Sequence, residues 1–105
     1  MAAPALTLDK PGLALVSGDL TLHTVSALID KGQELISEAD GELTFDFSDV
    51  VRFSSAGVAL LLNWMRSSVS HNVRLRIVNP PQDLDAIVRI CDLEEVFQPL
   101  LDQSA

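Results

Sequence analysis

The side chains capable of catalytic or metal chemistry are few in this sequence and lie far apart. His23 and His71 fall on separate predicted elements, and Cys91 is the only cysteine, so the chain lacks the clustered ligands of a zinc site. Asp46 and Asp49 flank the end of a predicted strand, where they are better explained as an edge residue and a turn residue than as an acid–base pair. The glycine-containing loops of serine hydrolases and nucleotide-binding proteins are also missing. We therefore expect no enzyme activity, no metal and no cofactor.

The most informative chemical feature is a run of small residues, Ser54 to Gly57, between a predicted strand and a strongly apolar helix. A serine at a helix start accepts a hydrogen bond from a backbone N–H group, and its loss costs about 1 kcal/mol. Capping of this kind accounts for one serine only. The first helical turn would also stabilise a phosphoryl group on Ser55, which would add about two negative charges to the surface. Ser55 is therefore a candidate phosphorylation site.

The apolar helix after this turn has large apolar residues on two faces. At about 100° per residue, its core stripe consists of Val58, Leu61, Leu62, Met65 and Val69. Leu60 and Trp64 fall nearly opposite that stripe. An exposed tryptophan beside a leucine is typical of a protein-binding hot spot, so we predict that Leu60 and Trp64 contact a partner. The alternative is that Trp64 lies under a loop or a neighbouring helix.

Hydrophobic periodicity and turn residues predict seven elements in the order β-β-α-β-α-β-α. The first helix is predicted over roughly 22–38, with an N-cap at Thr21 and a core stripe that starts at Leu22. The later helices are expected to begin near Ser55 and Pro81, and the core stripe of the last one includes Cys91. The strands are predicted to cover 6–8, 13–16, 43–47 and 73–78.

The end of the chain is expected to add little to this order. Val96-Phe97 would form a last short strand or extended edge, followed by a turn at Leu100-Leu101. Helices that alternate with strands through short connections imply an α/β fold, with a four- to five-stranded mixed sheet covered by helices on one or both faces. We expect a single domain over 1–105, with its core at about 6–101.

The composition argues against nucleic acid as a ligand and against a segment that spans or crosses a membrane. The 105 residues, 48% of them hydrophobic, suffice for one core, and a net charge of -8 repels nucleic acid. The longest uncharged apolar run, 58–65, is too short to span a bilayer, and the N-terminus lacks the basic residue of a signal peptide, so we expect a cytoplasmic protein. The stretch 51–82 holds four arginines and no acid, which form either one basic patch or separate surface residues.

Several motifs in order give the sequence a family resemblance. The segments 43–50 and 53–61, LTFDFSDV and FSSAGVALL, resemble the signature of STAS domains, the sulfate-transporter and anti-sigma-factor-antagonist family. The segment 17–21 is similar to the family's Gly-Glu-Leu-Asp entry to the first helix, and 90–97 is similar to its Gly-Leu-x-x-x-Phe ending. The resemblance covers roughly 6–101 and implies the STAS fold.

The resemblance also implies a function in protein binding. The run Ala56 to Leu62 looks closest to the STAS subunit of the Mla-type phospholipid-transport ABC system. That subunit binds and supports the cytoplasmic ATPase of a transporter that maintains outer-membrane lipid asymmetry, which implies a location at the inner membrane through the partner alone. We therefore expect the partner, an ABC-transporter ATPase subunit, to contact Ser54, Ser55, Ala56, Gly57, Leu60 and Trp64.

The alternative within the family is an anti-sigma-factor antagonist. Such antagonists carry Asp-Ser-Ser/Thr-Gly at this turn, and a partner kinase phosphorylates the serine after the aspartate. That serine matches Ser55, whereas Ser54 stands where the antagonists have aspartate. In this alternative the partner is an anti-sigma-factor kinase, and phosphorylation of Ser55 switches binding.

Overall fold

The computed structural model of the chain describes residues 3–100. The order of helices and strands agrees with the sequence prediction up to the last element. The elements are β1 (Ala5–Lys10), β2 (Leu13–Leu20), α1 (Ser26–Glu38), β3 (Glu42–Phe53), α2 (Ser55–Ser70), β4 (Arg74–Val78), α3 (Gln82–Ile90) and α4 (Glu94–Phe97).

The four strands form one mixed sheet in the order β1-β2-β3-β4. β1 and β2 are an antiparallel hairpin, and its turn uses Gly12 at φ +84°, a conformation that glycine adopts without strain. β2, β3 and β4 are parallel, and α1 and α2 provide the two crossovers. The predicted fold class, one small α/β domain with a four-stranded mixed sheet, is confirmed.

The helices cover one face of the sheet. Both crossovers step in the same direction across the sheet, so the right-handed rule assigns α1 and α2 to the same side. Alternate strand residues on that side are buried, among them Ala14, Val16, Phe45 and Ile77. The other face carries Leu15, Thr44 and other half-buried side chains. The core therefore lies between the sheet and the helical layer.

β3 contains two irregularities in its pairing with β2. One falls between Asp46 and Asp49, and the other between Val50 and Arg52, so that Val51 is extra to the ladder. An extra residue of this kind bends the strand and turns a side chain away from its regular direction. Val51 is 69% exposed as a result of this arrangement at the carboxyl end of β3.

The predicted start of the first helix is wrong. α1 begins at Ser26, after a turn held by two threonines: the Thr21 N–H donates to Thr24 Oγ1 at 2.9 Å, and the Thr24 hydroxyl donates to the carbonyl of Asp19. These side-chain bonds satisfy backbone groups outside a helix, which is how threonine competes with helix formation. Leu22 lies in this turn and not on the core stripe, and it is 77% exposed.

The predictions for the later elements need three corrections. Val96 and Phe97 belong to the short helix α4 and not to a strand, and Cys91 at the end of α3 is exposed. On α2, Val69 is exposed and Leu62 is only half-buried, because the core side of that helix is rotated from the predicted stripe. Leu101 of the predicted terminal turn lies outside the described residues.

Candidate docking site at the Ser54–Gly57 turn

Ser54 ties the start of α2 to the neighbouring strand. Its side-chain Oγ accepts a hydrogen bond from the Ala56 N–H at 3.2 Å, which is the helix cap expected from the sequence. The same hydroxyl donates to the carbonyl of Leu20 at 3.2 Å, and the Ser54 N–H donates to that carbonyl too. Ser54 therefore serves the fold, and it fixes the turn relative to the end of β2.

Ser55 has a different environment from its neighbour. It is the first residue of α2 and is exposed to solvent. The first turn of α2 contains no acidic residue, so the N–H groups and the positive dipole end at this point have no carboxylate from that turn beside them. A hydroxyl in this position is accessible to a modifying enzyme.

Gly57 is needed because an aromatic ring lies directly against it. A Cβ atom at this position would come within 2.5 Å of Cε1 of Phe53, and Phe53 in turn packs edge-on against Phe47 with ring centroids 6.4 Å apart. Gly57 is buried and Ala56 is half-buried. The small residues of the turn therefore serve close packing between the end of β3 and the first turn of α2.

The predicted exposure of Leu60 and Trp64 is wrong. Leu60 is 1% exposed and Trp64 is 0% exposed, so neither side chain is accessible to a partner. The indole of Trp64 stacks on Phe45 of β3, with centroids 4.5 Å apart and an interplanar angle of 14°. The indole also contacts α1, where a Cβ atom on Gly32 would come within 2.0 Å of the indole Nε1.

Two exposed apolar residues near the turn were not identified from the sequence. Leu22 follows the end of β2, and Val51 lies near the end of β3. Because β2 and β3 are parallel, their carboxyl ends meet at the edge of the sheet where Ser55 begins α2. We call Leu22, Val51, Ser55 and the exposed Arg52 the turn surface.

The sequence carries a signal for only one of these two residues. Asp49 stands in phase with the buried Phe45 and Phe47, where a regular strand would place another apolar residue. A polar residue in that phase indicates a bulge and a changed direction for Val51. No corresponding signal marks Leu22, since its spacing continues the apolar stripe of α1.

The other residues considered for chemistry do not converge on a site. His23, His71 and Cys91 are exposed in three separate turns, and residues 3–100 contain no group of three potential metal ligands. Burial alone would raise the pKa of Asp46, but hydrogen bonds to its Oδ1 from Asn79 Nδ2 at 3.0 Å and from the Ser48 N–H at 2.9 Å outweigh burial and lower that pKa. Asp46 thus has a structural role.

The four arginines of the acid-free stretch do not form one patch on a single element. Arg52 follows the second irregularity of β3, Arg66 is exposed on α2, and Arg74 and Arg76 lie on β4. Arg76 forms an ion pair with Glu42 at 3.6 Å. Arg52 is the arginine beside the turn.

None of the helices in the described part of the chain is both long and apolar enough to cross a bilayer.

Comparison with known proteins identifies the class of protein. A family model described as "Mlab, STAS domain" matches residues 4–102, so the chain belongs to the STAS domain family. None of the curated protein sequences matches the chain significantly.

Solved structures with this fold include anti-sigma-factor antagonists. The unphosphorylated form of SpoIIAA is similar with a TM-score of 0.68 and 21% identity, over 98% of this chain and 90% of that one. The phosphorylated form of SpoIIAA, the Bacillus cell fate determinant, gives 0.69 and 21%, over 98% and 92%. An anti-sigma factor antagonist from Mycobacterium paratuberculosis gives 0.69 and 18%, over 99% and 87%.

Proposed function

We propose that this chain is a non-enzymatic, cytoplasmic binding protein of the anti-sigma-factor-antagonist type, and that it docks on a partner through the turn surface. The observation that carries the proposal is that two adjacent serines have different environments. Ser54 caps α2 and bonds to Leu20, while Ser55 is exposed beside the exposed Leu22 and Val51. The fold therefore leaves one serine free to carry a regulatory group.

Phosphorylation of Ser55 would act on binding and not on folding. A phosphoryl group adds about 1.5 to 2 negative charges, and at the first residue of α2 it faces the N–H groups of the helix start, which favour an anion. The same charge within a contact centred on Leu22 and Val51 would have to be desolvated on binding, which is costly. The proposed result is a surface that binds when Ser55 is free and releases when it is phosphorylated.

The solved structures support an anti-sigma-factor kinase as the partner. Two of them, SpoIIAA and the Mycobacterium paratuberculosis protein, are described as anti-sigma factor antagonists, and SpoIIAA is known in a phosphorylated and an unphosphorylated form. A kinase that both binds and modifies this chain would approach the Ser55 hydroxyl directly, and Arg52 at the same edge would pair with an acidic group of the partner.

A second candidate partner is the ATPase subunit of an ABC-type phospholipid transporter. The description of the matching family model favours it, and so does Ser54 in the place where antagonists carry aspartate. In that function the same turn surface would dock on the ATPase without any need for phosphorylation. The chain would then reach the inner membrane only through its partner and would support lipid transport for outer-membrane asymmetry.

The test uses a tagged chain purified from its own cells in mild detergent. We expect an anti-sigma-factor kinase to copurify and phosphoserine to appear at Ser55 in mass spectra. We expect Ser55→Glu to lose the partner, because it introduces a charge into the contact, while Ser55→Ala keeps it. Ser70→Glu, the same change at the other exposed end of α2, is the matched control and should bind as the wild type.

Three other results would each contradict a specific part of the proposal. Recovery of an ABC-transporter ATPase with unmodified Ser55 would favour the second candidate. Retention of the partner by Ser55→Glu at wild-type level would mean that the turn surface is not the docking site. Equal loss of the partner in Ser55→Glu and Ser70→Glu would attribute the effect to net charge alone.

A further inference from the structure

A pocket of about 300 Å³ lies at the end of the domain away from the turn surface. Its apolar floor includes Leu8, Leu35 and Leu43. Leu8 is on the side of β1 that faces the helices, since it pairs with the fully buried Ala14, yet it is 51% exposed. α1 ends at Glu38 without covering this part of the hairpin, which leaves an apolar surface open to solvent.

Three acidic side chains line the pocket on the side formed by the end of α1 and the start of β3. Glu38, Asp40 and Glu42 line it, and Asp30 and Glu34 continue the line along the exposed side of α1 at four-residue spacing. Glu42 is paired with Arg76 on β4 at 3.6 Å. No lysine or arginine among residues 3–100 forms an ion pair with Glu38 or Asp40.

The spacing of these acids on α1 and the position of Glu38 are electrostatically unfavourable. Carboxylates four residues apart on a helix repel each other, as Asp30, Glu34 and Glu38 do on α1. Glu38 also lies in the last turn of α1, where the helix dipole is negative and no basic residue is present. A positively charged ligand would relieve both effects, and the apolar floor would give it a specific position.

We infer that this acid-rimmed pocket binds a basic amphipathic segment of a partner protein. An apolar side chain of the segment would lie on Leu8, Leu35 and Leu43, and its lysines or arginines would contact Glu38 and Asp40. The volume is at the lower end of the range for ligand sites and suits one or two large apolar side chains. Anionic lipid and nucleic acid would be repelled, and a second copy of the chain also carries a net charge of -8.

This site is separate from the turn surface. Leu43 lies near the start of β3 and Ser54 follows its end, so ten residues of this strand, 44–53, separate the two sites. The distance is on the order of 30 Å, which is close to the longest extent of the domain, 31 Å. A partner at one site leaves the other accessible. The chain can therefore hold a basic segment of one protein while the turn surface binds or releases another.

The test measures binding of a synthetic amphipathic leucine–lysine peptide of about 18 residues to the intact chain by fluorescence anisotropy. We expect micromolar binding that weakens with salt. Glu38→Lys combined with Asp40→Lys should weaken it at least about tenfold, and Leu8→Ser at least about threefold. Glu94→Lys combined with Glu95→Lys makes the same charge change on α4 and should stay within about twofold of wild type.

Four results would overturn the inference. If the two substitutions on α4 weaken peptide binding as much as those at Glu38 and Asp40, the peptide is attracted only by the net charge of the domain. If the peptide does not bind up to millimolar concentration, the pocket is not a binding site for a basic segment. Peptide-induced NMR shifts that avoid Leu8, Leu35 and Leu43 would locate binding elsewhere. Self-association of the wild type that Leu8→Ser abolishes would make a second copy the occupant. Circular dichroism confirms the fold of each variant, and if Leu8→Ser does not fold, the Glu38 and Asp40 pair decides the test.

Discussion

Trp64 of α2 contacts both Phe45 of β3 and Gly32 of α1, and these contacts join three elements of the core. The indole stacks on the Phe45 ring with centroids 4.5 Å apart, and its Nε1 and Cε2 atoms lie so close to Gly32 that no side chain fits there. We expect Trp64→Ala to lower the free energy of unfolding by about 3–5 kcal/mol, as loss of a large buried aromatic residue does. Urea denaturation followed by circular dichroism measures this, with Leu22→Ala as an exposed control.

One combination of results would contradict the burial of Trp64. If Trp64→Ala keeps wild-type stability but loses a partner, the indole is a contact residue and its burial in the free domain is wrong. The structure leads us to expect a large loss of stability.

Gly32→Ala tests the other side of the same contact. Replacement of glycine by alanine within a helix normally stabilises by about 0.5–1 kcal/mol. Here the new Cβ would come within 2.0 Å of Trp64 Nε1, so we expect Gly32→Ala to destabilise the domain. In the Trp64→Leu background the clash is reduced, and the same substitution should cost less. A double-mutant cycle from urea denaturation gives the coupling, and additive effects would contradict the contact.

Ser54→Ala and Ser55→Ala should show that Ser54 stabilises the fold and that Ser55 does not. Ser54→Ala removes the cap on the Ala56 N–H and the bond to the Leu20 carbonyl, so we expect a loss of about 1–2 kcal/mol. Ser55→Ala should change stability by less than about 0.5 kcal/mol, because the side chain is exposed. Thermal or urea unfolding measures both, and equal effects would mean that the cap assignment is wrong.

The order of elements was predictable because each signal is local. Alternating residues in β3, the Pro11-Gly12 turn and the apolar run of α2 identify their elements without knowledge of their neighbours. The burial of Trp64 could not be predicted in this way, because it depends on a neighbouring helix. A helical projection shows that Leu60 and Trp64 lie away from one core stripe, but it does not show that α1 covers their side of α2.

One signal for that second contact was present in the sequence. Gly32 stands in the middle of the predicted first helix, where glycine is unfavourable, and such a glycine usually has a packing reason. The structure supplies the reason, since the indole of Trp64 occupies the space of the missing side chain. The hydrogen bond from Gln33 Nε2 to Asn63 Oδ1 at 2.8 Å, also between α1 and α2, had no comparable signal.

Asp46 should make the stability of the domain depend on acid pH. Its pKa is lowered in the folded chain by hydrogen bonds from Asn79 and Ser48, which outweigh burial. Its contribution is therefore complete above the ordinary aspartate pKa of about 3.9 and is lost as the pH falls through the lower folded value. We expect Asp46→Asn to lose less stability than the wild type between pH 7 and this acid range.

Urea denaturation at a series of pH values measures this dependence for Asp46→Asn. Asp49→Asn, an exposed carboxylate three residues further along β3, is the matched control. An unchanged acid dependence in Asp46→Asn would show that other carboxylates determine it.

The turn surface should tolerate loss of its apolar side chains without loss of the fold. Leu22 and Val51 are 77% and 69% exposed, so Leu22→Ser and Val51→Ser should each change the free energy of unfolding by less than about 0.5 kcal/mol. In the proposed contact the same side chains are covered by the partner, and their removal together should weaken binding by about 2 kcal/mol or more, roughly thirtyfold. Isothermal titration calorimetry with the recovered partner measures the affinity.

Ile90→Ser is the control for this pair, because Ile90 is an equally exposed apolar residue at the end of α3. It should bind the partner as the wild type does. If Ile90→Ser weakens binding while the double variant Leu22→Ser and Val51→Ser does not, the docking surface lies at α3, and the exposed Ser55 hydroxyl is not part of the contact.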